Sequence, residues 1–328
     1  MLPAGKIPPE TLKKLLKHLG TDNTLVIVGP GTGIDFGAVD FGDRILIAST
    51  DPITGAVEDI GFYAVHVNAN DVALSGARPR WFLVTLLLPK GSDEGLPERI
   101  MRDIDREAKK LGIAIIGGHT EVTPGLDRPI VVGTMLGEVE KEKLVRPDGA
   151  RPGDTIIMTK WAGLEGTSII AREKRGELTN AFGEDFVERA ASLMEYLSIV
   201  PEAMMAAEFG VNAMHDPTEG GVTNGLHEMA DSAGLGLRVY PEKIPIREET
   251  KTICDFYGLN PLALVSSGTL LIAVKRDHTK VLVERFMAKG INAAIIGEFL
   301  AENKRIAITR GDEVPFPRPE TDELWKMF

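Results

Sequence analysis

Apolar positions recur at helical spacing in two long segments of the first half of the chain. In Pro97–Leu111 they are followed by Gly112, which stands where a left-handed C-terminal cap belongs. In Glu58–Ser75 the same spacing places Asp71 on the apolar stripe. Similar segments predict helices over Pro8–Leu19, Gly166–Arg172, Glu184–Leu197, Pro201–Glu208, Gly220–Ser232 and His278–Lys289. Short apolar runs predict strands over Arg44–Ser49, Trp81–Leu88, Ile113–Ile116, Ile130–Leu136, Thr155–Thr159, Leu270–Val274, Ala293–Gly297 and Arg305–Thr309.

The segment Leu144–Asp154 interrupts these patterns with prolines and glycines and predicts a domain boundary. We therefore expect an N-terminal domain over residues 1–147 and a C-terminal domain over residues 148–328. A chain of 328 residues is long enough for two ordinary domains. Strands and helices are interspersed without strict βα alternation, which favours an α+β fold over a doubly wound sheet.

Composition and charge narrow the possible partners and compartments. The net charge is −11 and basic residues are scattered, so neither nucleic acid nor a membrane is expected as a partner. The only cysteine, Cys254, allows no internal disulfide and no cysteine-based zinc site. No run approaches the roughly 20 apolar residues of a membrane span, and Met1–Lys6 lacks the apolar core of a signal peptide. We expect a cytoplasmic protein, and the lack of glutamine favours a thermophile as its source.

Four acidic residues end or interrupt apolar elements in the first half: Asp35, Asp51, Asp71 and Glu121. Carboxylates buried together repel one another, and a magnesium ion, which takes oxygen ligands and bridges to phosphates, resolves that conflict. A single aspartate after a strand is more often a turn former or a helix cap. Asp71 fits that alternative poorly, because it lies on an apolar stripe.

Glycine-rich segments at Gly29–Gly33 and Gly117–Gly118 provide backbone N–H groups that phosphate oxygens could accept. Ordinary tight turns explain them equally well, and neither segment matches a Walker A loop or a dinucleotide fingerprint. Asp216–Gly221 lies at the predicted start of a helix, where it could form either an anion-binding site or an ordinary N-terminal helix cap. His119 could carry a proton or contact a phosphate, or it could simply bond its neighbours.

Taken in order, five motifs resemble the AIR synthetase-like (PurM-like) superfamily. They are Ile34-Asp-Phe-Gly-Ala-Val39, Ser49-Thr-Asp-Pro52, Val67-Asn-Ala-Asn-Asp-Val-Ala-Leu-Ser-Gly-Ala77, Gly117-Gly-His-Thr-Glu121 and Asp216-Pro-Thr-Glu-Gly-Gly221. The superfamily includes aminoimidazole ribonucleotide synthetase, selenophosphate synthetase, thiamine monophosphate kinase and the hydrogenase-maturation protein HypE. Asn260-Pro-Leu and Ser266-Ser-Gly-Thr-Leu270 resemble the HypE branch in particular.

The resemblance implies a two-domain α+β protein that binds ATP and Mg²⁺. Its N-terminal domain would form a β-barrel across a homodimer interface, and its C-terminal domain would be an α/β sandwich. The implied metal ligands are Asp35, Asp51 and Asp71. The implied nucleotide-binding residues are Asn70, Gly117, Gly118, Thr120, Asp216, Gly220 and Gly221. The implied catalytic residues are Asp71, His119 and Glu121.

Several departures from the family pattern bear on the substrate. HypE carries a C-terminal Pro-Arg-x-Cys tail whose cysteine bears the carbamoyl group, whereas the present sequence ends in Asp322–Phe328 without cysteine. We therefore expect no dehydration on its own tail. His119 stands where HypE usually has aspartate, and Ser267 stands where HypE often has glutamate.

The sequence thus predicts a HypE-like protein that uses ATP, releasing ADP and phosphate, for phosphoryl transfer or dehydration. The substrate would be an unidentified small molecule or a residue of a partner protein. One alternative is an enzyme like aminoimidazole ribonucleotide synthetase or thiamine phosphate kinase. Another is a maturation scaffold that binds nucleotide without turnover.

Overall fold

The computed structural model describes residue 7, residues 9–54 and residues 59–327. The chain divides into two compact units. The N-terminal unit comprises residues 23–29 and 35–144, and the C-terminal unit takes in residues 30–34 and the chain from Val145 onward, together with helix α1 (Pro9–Leu15). The break after Leu144 lies close to the domain boundary expected between residues 147 and 148, which stays a prediction.

The N-terminal unit is built on one six-stranded mixed sheet. Its strands are β1 (Val26–Val28), β2 (Gly37–Asp40), β3 (Arg44–Ile53), β4 (Arg78–Pro89), β5 (Ala114–Thr123) and β6 (Ile130–Glu140). They lie in the order β1-β2-β3-β6-β4-β5, and only the pairing of β4 with β5 is parallel. Helices α2 (Ile60–Leu74) and α3 (Leu96–Leu111) pack on the sheet and on each other.

Alternation along the strands separates the two faces of this sheet. Phe82, Val84 and Leu86 of β4 are buried, whereas Leu83, Thr85 and Leu87 between them are half-buried. β6 repeats this period of two over its whole length. The sheet therefore has one buried face, and its opposite face carries half-exposed apolar side chains: Leu46, Trp81, Leu83, Leu87, Val132 and Leu136. We call this set the open face.

The C-terminal unit contains a seven-stranded sheet in the order β13-β12-β9-β11-β7-β10-β8. Its strands are β7 (Thr155–Thr159), β8 (Ala213–His215), β9 (Gly236–Val239), β10 (Leu271–Val274), β11 (Ala293–Leu300), β12 (Arg305–Thr309) and β13 (Asp312–Pro315). Its other helices are α4 (Leu164–Glu173), α5 (Arg175–Phe182), α6 (Glu184–Ala191), α7 (Val200–Phe209), α8 (Gly221–Ala233), α9 (Glu248–Tyr257) and α10 (Thr279–Ala288). None of the helices in the described residues is long and apolar enough to cross a bilayer.

Three sequence predictions are corrected by the structure. The strand expected to end at Ser49 continues to Ile53, so Asp51 lies within β3. The strand expected to end at Ile116 continues to Thr123, so Gly117–Glu121 is strand and not loop. The helix expected over Glu184–Leu197 ends at Ala191 and is followed by a 3₁₀ turn. Pro8 and Glu58, the predicted first residues of two helices, lie outside the described residues.

A buried lysine stands at the end of β7. Lys160 has a left-handed φ of 55°, which is uncommon for a residue other than glycine. Its Nζ lies 2.7 Å from Glu202 Oε1 and also donates to the carbonyl oxygens of Tyr196 (2.9 Å), Ser198 (2.6 Å) and Gly268 (3.0 Å). Burial lowers the pKa of the Lys160 ammonium, and the Glu202 carboxylate opposes that shift.

Candidate functional site

Ser49 connects two of the predicted metal ligands in the N-terminal unit. Its hydroxyl donates to Asp71 Oδ2 at 2.6 Å and lies 2.9 Å from the carbonyl oxygen of Asp35. Ser49 and Asp71 are both buried, while Asp35 is half-buried. One hydroxyl therefore holds the carboxylate of α2 beside the segment that leads into β2. Ser49 was not among the predicted site residues, although it belongs to the quoted Ser49-Thr-Asp-Pro52 motif.

Asn68 connects the third predicted ligand to the same helix. Its Oδ1 accepts the backbone N–H of Asp51 at 2.9 Å, and its Nδ2 lies 3.3 Å from the Asp51 carbonyl oxygen. Asn68 and Asp71 are three residues apart on α2, a spacing that places both on one helix face. Two side chains that the sequence analysis did not single out thus connect the three segments: Ser49 contacts Asp71 and the Asp35 backbone, and Asn68 contacts the Asp51 backbone. Asn70 is fully buried on the same helix.

The carboxylates near Ser49 and Asn68 suit a cation that takes only a few of its ligands from protein. Among the described residues, no three His, Cys, Asp or Glu side chains form a ready metal-binding group. Magnesium is usually held by one or two carboxylates, with phosphate oxygens and waters completing its shell. Carboxylate oxygens at Asp35, Asp51 and Asp71 are of the right chemical type for it, and the half-buried Asp51 remains accessible.

His119 and Glu121 lie on β5, at the edge of the sheet. His119 Nε2 lies 3.1 Å from Glu121 Oε2, and Thr123 donates to Glu121 Oε1 at 2.8 Å. These hydrogen bonds, from Thr123 and then from His119, hold the pKa of the exposed Glu121 carboxyl below its usual value. β6 and β4 lie between β5 and β3. At ordinary strand spacing, the strand that carries Glu121 is therefore about 14 Å from the strand that carries Asp51. Within one sheet these two groups form separate clusters.

The glycine pair on β5 has a packing role. A Cβ at Gly118 would lie 1.9 Å from the carbonyl oxygen of Val84, so only glycine permits this approach of β5 to β4. Thr120 pairs with Leu86 in the same ladder and is exposed. Gly117 and Gly118 therefore belong to the parallel pairing of β5 with β4, just after a shift in its register, which corrects the expectation of a loop at this position.

The predicted anion site of the C-terminal unit lies at the start of α8. Gly220 and Gly221 have φ values of 80° and 60°, and a Cβ at Gly221 would lie 2.5 Å from the Leu264 carbonyl oxygen. The N–H of Gly220 donates to Asp322 Oδ2 at 2.5 Å. The carboxylate at this helix N-terminus is thus the chain's own Asp322, about a hundred residues further along. Asp216 is buried just before this turn.

Two buried carboxyls in the same unit have raised pKa values. Burial raises the pKa of Glu165 to about 7, a hydrogen bond with Ser267 opposes the shift, and the charges of Asp322 and Glu219 add to it. Burial likewise raises the pKa of Asp322 to about 6, against the hydrogen bonds that it accepts from the backbone N–H groups of Leu324 at 2.7 Å and Gly220 at 2.5 Å. Sequence reasoning gave neither residue a role.

Two family models together match most of the chain. The model described as "AIR synthase related protein, N-terminal domain" matches residues 33–139, and "AIR synthase related protein, C-terminal domain" matches residues 151–309. The first range contains the Asp35, Asp51 and Asp71 cluster, and the second contains the start of α8.

Individual proteins match over similar lengths. A putative hydrogenase expression/formation protein of Methanocaldococcus jannaschii is 31% identical over 93% of this chain and 91% of its own length. Carbamoyl dehydratase HypE of Azotobacter vinelandii is 32% identical over 75% of this chain and 71% of its own length. Among solved structures, the hydrogenase maturation protein HypE in complex with ATP superposes with a TM-score of 0.72. It is 25% identical and covers 94% of this chain and 91% of its own.

Proposed function

Because the chain belongs to the AIR synthase related family, we propose that it binds ATP with Mg²⁺ and uses it in a HypE-like reaction. The reaction would be phosphoryl transfer to, or dehydration of, an oxygen-bearing group on a small substrate or on a residue of a partner protein. Support comes from its similarity to HypE proteins, one of which is a carbamoyl dehydratase and one of which was solved with ATP.

The observation that carries this proposal is the linked set of three aspartates. Ser49 contacts the Asp71 carboxylate and the Asp35 carbonyl oxygen, and Asn68, three residues before Asp71 on α2, accepts the backbone N–H of Asp51. A buried carboxylate such as Asp71 is costly unless hydrogen bonds or a cation compensate for the lost hydration. Ser49 provides one such bond, and a cation shared with nucleotide phosphates would stabilise the carboxylate further.

Each residue of the set has a distinct part in this proposal. Asp51 and Asp35, both half-buried, would hold Mg²⁺ from the accessible side, and Asp71 would hold it from the buried side. The ion would neutralise charge on the phosphates, which in such reactions supplies most of the catalysis together with positioning. Ser49 fixes the direction of Asp71, and Asn70 lies next to Asp71 on the helix. We assign no step to His119 and Glu121, which lie three strands away.

Calorimetric titration of ATP into the protein, with Mg²⁺ and then with EDTA, tests the proposal. We expect binding with Mg²⁺ in the micromolar range and clearly weaker binding in EDTA, because the carboxylates repel unneutralised phosphates. Absence of binding under both conditions would overturn the proposal. If binding occurs, ADP release that rises with a candidate substrate supports an enzyme. Slow release that no substrate changes supports a nucleotide-binding scaffold.

We also infer that the N-terminal unit forms a homodimer through the open face and the β5 edge. β5 is ten residues long, its outer edge has no strand partner among the described residues, and it exposes Ile116 and Val122. A long exposed edge of this kind pairs readily with another strand. The half-exposed apolar side chains of the open face supply the surface that an isologous contact between two copies would bury.

Replacing Leu83 in the open face by glutamate is expected to convert the dimer to a monomer at micromolar concentration. The substitution occurs twice in a symmetric dimer, and each copy would bury an uncompensated charge. Light scattering during size exclusion measures the mass. Phe41→Glu is the matched control, because Phe41 is 69% exposed in the turn after β2 and lies outside the open face. A wild-type monomer with ATP bound would remove the dimer from the proposal.

A further inference from the structure

Asn68 is fully buried and uses its whole carboxamide. Oδ1 accepts the N–H of Asp51, and Nδ2 donates to the carbonyl oxygens of Asp51 at 3.3 Å and Ala64 at 2.9 Å. The amide has two donor hydrogens, and both have acceptors. A reversed amide would point its NH₂ at the N–H of Asp51, so the network allows only one orientation. Asn68 therefore binds Asp51 at two points, much as a neighbouring strand would.

The pairing of β3 with its two neighbouring strands explains how the Asn68 side chain reaches Asp51. β2 pairs with β3 only as far as Ala48, whereas Asp51 lies three residues further along β3. On the other side, Asp51 is paired with Gly133 of β6. A Cβ at Gly133 would lie 2.4 Å from Asn68 Nδ2, so the glycine keeps open the space that the carboxamide fills. The carboxamide therefore lies against the paired residues Asp51 and Gly133, at a point of β3 beyond its pairing with β2.

Two parallel links thus join α2 to β3. Asp71 binds the Ser49 hydroxyl, and Asn68 binds the Asp51 backbone. Residues 68 and 71 share a helix face, and residues 49 and 51 share a strand face. The position of the Asp51 backbone relative to Asp71 is therefore set by α2 and not by a loop. Side chains that hold ligands in this way typically change metal affinity by about 10–100-fold when they are removed.

We propose that Asn68 is a positioning residue for the cation of the nucleotide site. It contacts neither ATP nor Mg²⁺, but it fixes the backbone of Asp51 so that its carboxylate and that of Asp71 serve one ion. This inference rests on the proposed function, since it assumes that Asp51 and Asp71 bind the cation. It predicts that loss of Asn68 weakens the magnesium dependence of ATP binding and leaves metal-free binding nearly unchanged.

The test compares ATP dissociation constants in Mg²⁺ and in EDTA for wild type and Asn68→Ala. The expected result is a fall of at least about tenfold in the EDTA-to-Mg²⁺ ratio, with the EDTA value within about twofold of wild type. Direct titration of Mn²⁺ should show the same loss of affinity. Val65→Ala is the matched control, because Val65 is fully buried on α2 one turn before Asn68. It should lower the melting temperature and keep the wild-type ratio.

The possible outcomes separate the two proposals. A wild-type protein with no magnesium-dependent ATP binding overturns the proposed function. A wild type that shows this dependence, with Asn68→Ala retaining the same ratio, overturns the positioning role alone. A ratio that falls equally in Val65→Ala also overturns it, because the effect would then be one of general destabilisation. If Asn68→Ala does not fold, Asn68→Ser serves the same comparison, since serine is too short to reach both backbone groups of Asp51.

Discussion

Asp71→Asn is expected to weaken magnesium-dependent ATP binding at least about tenfold, which corresponds to about 1.4 kcal/mol. Asparagine has nearly the same shape and keeps an oxygen that accepts the Ser49 hydroxyl at the observed 2.6 Å position. The substitution therefore removes mainly the negative charge, which is the property that a hard cation requires. Isothermal titration of ATP in saturating Mg²⁺, repeated in EDTA, measures the effect. The affinity in EDTA should stay equal or improve, because one charge that repels the phosphates is gone.

Glu107→Gln is the control for this comparison. Glu107 is also a buried carboxylate of the N-terminal unit, on α3, where it pairs with Lys110 at 2.9 Å and lies 3.3 Å from His66. Its loss should reduce stability without changing the magnesium dependence of ATP binding. Unchanged magnesium-dependent affinity in Asp71→Asn would remove Asp71 from the metal site and leave its contact with Ser49 as a structural one.

The spacing of apolar residues predicted the bounds of α2, the helix that carries Asp71, to within two residues. The predicted helix Glu58–Ser75 is observed as Ile60–Leu74. Asp71 is buried on it, but so are residues on almost every side of the helix, so its burial is not the property of one apolar stripe. Helical spacing is a local property, so a single sequence is enough to detect it. Whether Asp71 lies near Asp35 depends instead on the order of the strands in the sheet, which cannot be predicted from a local sequence pattern. The family resemblance supplied that grouping, which stays a prediction; in the structure the Ser49 hydroxyl contacts the Asp71 carboxylate and the Asp35 carbonyl oxygen.

The segment Gly117–Glu121 shows where local rules fail. Two adjacent glycines indicate a turn, because glycine is the usual residue where the backbone reverses. Here Gly118 lies in a parallel strand, and its lack of a side chain permits close contact with Val84. That contact comes from a strand about thirty residues earlier in the chain. The rule that an isolated glycine in a strand marks a close backbone approach competes with the turn rule, and only the fold decides between them.

Asp322 and Asn68 were missed for different reasons. Asp322 reaches Gly220 over a separation of 102 residues, and nothing near either residue in sequence indicates the contact. Asn68 carried a detectable signal, since it stands three residues before Asp71 in the predicted helix, a spacing that brings the two residues to neighbouring positions on its surface. A buried amide at that spacing requires hydrogen-bond partners, and the neighbouring strand could have been considered as their source.

Lys160→Met is expected to lower the free energy of unfolding of the C-terminal unit by about 3–5 kcal/mol. Lys160 and Glu202 are both buried, and their charged atoms are 2.7 Å apart. Methionine has a similar length but no charge, so it leaves the Glu202 carboxylate buried without its counter-ion. The carbonyl oxygens of Tyr196, Ser198 and Gly268 lose the same donor. Urea denaturation followed by circular dichroism measures the shift in the transition midpoint.

The double variant Lys160→Met, Glu202→Leu identifies the cause. Removing both charges eliminates the unpaired carboxylate, so the double variant should recover a large part of the loss and be more stable than Lys160→Met alone. Recovery should remain incomplete, because the Ser198 carbonyl at 2.6 Å still lacks its donor. A double variant no more stable than the single one would mean that the carbonyl contacts carry the stabilisation. A Lys160→Met protein within about 1 kcal/mol of wild type would mean that Glu202 takes up a proton or is reached by water, so that no unpaired charge stays buried.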